Sequence, residues 1–110
     1  NWAELPILKD SIRETSYHIY TLRIKHISEN QRDEIIKKIF DQEVSVNVHF
    51  QPLPLFSTFK DRGFKIADFP ISYDSYSREI TLPVFQDLSN EQIMTVINAV
   101  ISSVNYVLKA

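Results

Sequence analysis

Cysteine is absent from this sequence and glycine occurs only once, at Gly63. Without thiols there are no disulfides and no thiolate metal sites, and the redox compartment is left open. The scarcity of glycine excludes a different chemistry. Loops that cradle phosphate need glycines where backbone N–H groups approach the ligand closely, so a self-contained nucleotide or phosphate-cofactor domain is not expected. Charge of one sign is also missing: twelve Lys and Arg against fourteen Asp and Glu leave a net charge of −2. The basic face that nucleic-acid binding demands is therefore lacking. No apolar run is long enough to span a bilayer, and the first residues show no charged-then-apolar pattern ending in a cleavage site. The expectation is a soluble protein without nucleic-acid or membrane partners, with the cytoplasm as default compartment.

What is present is 44% hydrophobic residues in 110, enough for one domain with one core, here 1–110 with 1–16 as a lead-in segment. Tyr20, Leu22 and Ile24 alternate with Thr21, Arg23 and Lys25, predicting a half-solvated strand between Tyr17 and Ile27. Ser28 and Gln31 form a capping-box signature before Ile35, Ile36, Ile39 and Phe40, predicting a helix to about Gln42. On its charged face, Asp33 with Lys37 and Glu34 with Lys38 are spaced as ion pairs.

A second strand is predicted over Val44–Pro54, with Val44, Val46, Val48 and Phe50 on one face and Ser45, Asn47, His49 and Gln51 on the other. Pro52 and Pro54 end it, because neither donates to a ladder. Leu55, Phe56 and Phe59 suit a short helix closed by Gly63. Asp68 and Pro70 open a helix over Ile71–Arg78. Ile80–Pro83 reads as a brief edge strand. Ser89 and Gln92 repeat the capping box, and Ile93, Val96, Ile97, Val100, Ile101 and Val104 then form a core-facing helical stripe. The fold class is α+β: a small three-stranded, mainly antiparallel sheet with helices packed on one face.

The polar row is the chemically interesting feature. Asn47, His49 and Gln51 both donate and accept hydrogen bonds, unlike the Lys, Glu and Thr of an ordinary wet face. A solvated sheet face and a ligand-facing row both fit it. His18, His26 and His49 are the only histidines, and none has a metal-ligand spacing, so no metal site is expected. Hydrolysis with His49 as base would need a nucleophile and an orienting group that no motif supplies. Tyr73 and Tyr76, one helical turn apart, read as packing residues.

Several segments in order resemble the C-terminal small domain of the DegT/DnrJ/StrS family of sugar aminotransferases, fold type I enzymes dependent on pyridoxal phosphate (PLP). They are Tyr17-His18-Ile19-Tyr20, Arg32-Asp33-Glu34-Ile35-Ile36, Val48-His49-Phe50-Gln51-Pro52-Leu53, Asp68-Phe69-Pro70, and Ile80-Thr81-Leu82-Pro83-Val84-Phe85 followed by Leu88-Ser89. The family usually has tyrosine where this chain has Phe50, histidine where it has Pro54, and glycines near Glu43, Ser45 and Asn47. The resemblance implies transfer of an amino group from an amino acid, typically glutamate, to a keto group on a nucleotide-linked sugar. It places the cofactor lysine and phosphate loop in a large preceding domain of the same polypeptide, in an enzyme that is a homodimer. No catalytic or cofactor-binding residue is then expected within this chain, and no PLP on the isolated chain. His49, with Asn47 and Gln51 beside it, becomes the candidate substrate-side group. The alternative reading is a free-standing α+β module that binds a small molecule or protein through the same polar face.

Overall fold

The computed structural model describes residues 1–109. Strands β1 (Ala3–Glu4), β2 (Tyr20–Ile24) and β3 (Glu79–Leu82) form one antiparallel sheet in the order β1-β2-β3. Helices α1 (Glu29–Phe40), α2 (Ser57–Lys60), α3 (Pro70–Ser77) and α4 (Asn90–Leu108) complete it, with 3-10 turns at Leu53–Leu55 and Ile66–Asp68. The register sets Leu22 opposite Ile80 and Arg23 opposite Glu79. Because side chains alternate across a strand, Leu22, Ile24 and Ile80 share one face and Thr21, Arg23, Glu79 and Thr81 the other. Ile35 and Ile39 of α1 and Val100 and Val104 of α4 close over the apolar face. This is the α+β arrangement that the alternating pattern demands.

Both capping boxes form. Ser28 and Gln31 bond reciprocally at the start of α1, as do Ser89 and Gln92 at the start of α4, so orphan N–H groups at each N-terminus are satisfied. Gly63 lies at φ 88°, where the closing turn after α2 needs a left-handed residue. Pro70 takes the first position of α3, and the helix ends at Ser77 rather than Arg78.

The sheet differs from expectation in where its third strand comes from. The lead-in segment supplies β1, while Val44–Pro54 forms only an isolated bridge, Asn47 to Thr81, on the free edge of β3. Main-chain bonds of 3.1 and 2.7 Å join those two residues. Beyond Asn47 the ladder stops, because the His49 N–H turns to a side chain, the Glu79 carboxylate at 3.0 Å. The alternation places Val44 and Val46 in the core but fails at Phe50, which is 76% exposed. β2 is also shorter than Tyr17–Ile27, since Tyr17 and His26 adopt left-handed φ values of 59° and 58° that leave extended geometry.

Helix faces need similar correction. Phe40 faces solvent at the end of α1, and Ile93, Ile97 and Ile101 are 38%, 40% and 44% exposed. The apolar arc of α4 is wider than α1 and a sheet of short strands can cover. The uncovered row lines an open groove of about 600 Å³ with Trp2, Tyr20, Leu82 and Phe85. The expected helix-face pairs are replaced by other partners: Asp33 binds Arg32 at 2.6 Å, and Lys38 lies 4.3 Å from the Tyr106 ring centre.

Candidate functional site

β3 carries Glu79 and Thr81 on its polar face, and the Asn47–Thr81 bridge lays the 44–50 segment beside them. Both side chains are almost fully buried, at 3% and 4% exposure. The Glu79 carboxylate accepts the His49 N–H at 3.0 Å through one oxygen and the Thr81 hydroxyl through the other. His49 Nδ1 in turn lies 3.0 Å from Thr81 Oγ1. The imidazole is thus held at the ring nitrogen and at its own backbone, while Nε2 has no hydrogen-bond partner among the described residues.

This edge opens into a cleft of about 280 Å³ whose walls include His18, Ser45, Asn47, His49, Thr81 and Pro83. Asn47 Oδ1 accepts the Val48 N–H at 2.8 Å, which fixes its carbonyl end and leaves the amide end available. Gln51 is exposed and is not among the lining residues. The predicted row therefore converges at Ser45, Asn47 and His49, and not at Gln51. His18, unassigned by sequence reasoning, also reaches the cleft, with Nδ1 2.9 Å from Ser16 Oγ. Glu79 and Thr81 were missed as well. Their signal was the polar-apolar alternation in Glu79-Ile80-Thr81-Leu82, which puts both on one side of a strand.

Behind the cleft, Arg32 fixes the start of β3. Its Nη1 donates to the Tyr76 carbonyl at 2.7 Å and the Glu79 carbonyl at 3.3 Å, while Nη2 pairs with Glu29 at 3.4 Å. The guanidinium lies 4.8 Å from the Tyr76 ring centre, and the Tyr73 hydroxyl donates to Glu29 at 2.8 Å. That bond to a carboxylate raises the Tyr73 pKa, and burial is the main cause of the rise at Tyr76. Both tyrosines pack as structural residues, against the Arg32–Glu29 cluster. Just before β3, Arg78 bridges Asp74 of α3 at 2.6 Å and Glu4 of β1 at 3.2 Å. Its hydrogen bonds hold both carboxylates below their ordinary range.

A short antiparallel sheet backed by two long helices, with a polar cleft at its edge and an open apolar groove along its last helix, defines a small α+β domain. The chain belongs to the DegT/DnrJ/EryC1/StrS aminotransferase family, whose profile matches residues 2–101. It is 33% identical over 98 residues to the uncharacterized protein MJ1066 of Methanocaldococcus jannaschii, covering 86% of this chain and 25% of that one. It is 31% identical over 98 residues to the spore coat polysaccharide biosynthesis protein SpsC of Bacillus subtilis, with the same coverages of 86% and 25%. Spr1654 of Streptococcus pneumoniae, assigned as a sugar aminotransferase, superposes with a TM-score of 0.94 at 30% identity, over 98% of this chain and 27% of that one. The chain spans about a quarter of the length of these relatives.

The family is PLP-dependent, and Spr1654 has been solved in PLP and PMP forms. The residues of the His49 cleft do not fit that cofactor. Among the described residues no lysine lines the cleft to bind the cofactor's aldehyde carbon, and no lysine or arginine faces a phosphate there. Among the described residues no group of His, Cys, Asp and Glu is arranged to hold a metal ion, and no helix is long and apolar enough to cross a membrane.

Proposed function

We propose that this chain is the C-terminal small domain, 1–110, of a PLP-dependent aminotransferase that aminates a keto group on a nucleotide-linked sugar. A larger domain of the same polypeptide holds the cofactor and its lysine. The chain contributes a wall of the substrate site, with His49 and Asn47 as the groups that meet the substrate. The observation that carries the reading is the match to an assigned sugar aminotransferase over nearly all of this chain but only 27% of that protein. Two features of the molecule agree with it. The imidazole is braced on one side with an unpartnered nitrogen on the other, as a group waiting for a ligand would be. The apolar groove along α4 is larger than a solvated face requires, which suits a surface covered by further chain.

The test is the coding sequence upstream of Asn1. It should encode a domain with a lysine able to bind the cofactor and a glycine-rich phosphate loop. A start codon directly ahead of this segment, with no such domain in the same reading frame, would sink the proposal.

A further inference from the structure

The polar atoms beside β3 form a chain with a direction. As a carboxylate, Glu79 can only accept, and it does so from the His49 N–H and the Thr81 hydroxyl. A hydroxyl has a single proton, and that of Thr81 points to Glu79. Oγ1 of Thr81 therefore acts as acceptor toward the ring, and the 3.0 Å contact requires the proton on His49 Nδ1. We propose that Glu79 and Thr81 are positioning residues that select the Nδ1–H tautomer of the uncharged His49 ring. Nε2 then offers a lone pair to the cleft and selects a hydroxyl or other hydrogen-bond donor of the ligand.

The surroundings make this arrangement stiff. Both relay side chains are buried, so water does not compete for their atoms. The paired main-chain bonds of Asn47 and Thr81 set the spacing between the two segments, and Arg32 clamps the Glu79 carbonyl from behind. Among the described residues no lysine or arginine lines the cleft. A neutral hydroxylated group, such as the sugar portion of a substrate, is a better match for this corner than a phosphate. The inference rests on the reading of His49 as a substrate-side group, but its test does not.

Long-range proton–nitrogen NMR spectra of the full chain, labelled at histidine and recorded on raising the pH until the His49 ring is uncharged, report which ring nitrogen carries the proton. In the wild type, Nδ1 should be protonated and Nε2 bare. Glu79→Gln should invert this. A carboxamide has one acceptor atom and one donor atom, so with its oxygen held by the His49 N–H it donates to Thr81, whose hydroxyl then turns to Nδ1. Thr81→Val should leave the mixture of an unrestrained imidazole, and Thr81→Ser should retain the Nδ1–H form. An Nε2–H ring in the wild type, or an Nδ1–H ring unchanged in both Glu79→Gln and Thr81→Val, would overturn the proposal. A correct tautomer combined with an unchanged KM for the sugar in full-length His49→Ala would instead overturn the substrate-side role and leave the relay standing.

Discussion

At Arg32 a full positive charge sits 2% exposed and is tied to two carbonyls and two carboxylates from α1, α3 and β3. Its removal leaves the Tyr76 and Glu79 carbonyls short of a donor, and an apolar replacement of similar volume does not restore it. Arg32→Met should therefore cost about 2–4 kcal/mol in urea unfolding. A loss below about 0.5 kcal/mol, the scale of a neutral surface change, would contradict this role. Such partners were hidden in the sequence, where Arg32 stands beside Asp33 and Glu34 on what reads as a solvated helix start. The same limit concealed Glu79, whose importance comes from a contact with His49, thirty residues away.

The ion pairs of Arg78 give a pH dependence of definite sign. Glu4 and Asp74 are charged more readily in the folded state, chiefly through hydrogen bonds from Arg78. Carboxylates with lowered folded values add stability above their ordinary range, near pH 4, and lose it as pH falls through the folded values. Side-chain exposures of 42% and 63% screen both pairs, so about 1 kcal/mol each is an upper limit. Comparing urea midpoints of wild type and Arg78→Gln should show a gap at neutral pH that narrows below about pH 4. A gap that stays constant into acid would refute the assignment.

Among the elements, helices with capping boxes were the most legible, because cap, spacing and apolar stripe are all local. Ser28→Ala and Ser89→Ala should each cost about 1 kcal/mol in thermal or urea unfolding, through loss of the bond to the third helical N–H. Gly63→Ala should cost a similar amount, about 1 kcal/mol, from backbone conformation alone. A β-carbon there meets nothing within 4 Å, so steric crowding adds nothing. Unchanged stability in all three variants would remove local capping from the account. The segment at Val44–Pro54 was less legible. Its alternation correctly buries Val44 and Val46, yet pairing depends on a partner edge that β3 supplies only at Thr81. The pairing of Ala3–Glu4 with β2 was invisible for the complementary reason, as two residues carry no period.

For the whole molecule, the fold class and the layering were legible, since each follows from the apolar faces of its elements; the partners of His49 on β3 were not, since they lie about thirty residues away in sequence. The α4 surface did not follow. Apolar spacing says that Ile93, Ile97 and Ile101 share a face, but not whether this chain or another covers it. Their exposure is what the proposed function expects, a face that further chain would cover. The most direct test is to load the full-length gene product with PLP, reduce it with borohydride and map the modified peptide. A pyridoxyl adduct is expected on a lysine outside these 110 residues. An adduct on Lys9, Lys25, Lys37, Lys38, Lys60, Lys65 or Lys109 would contradict it.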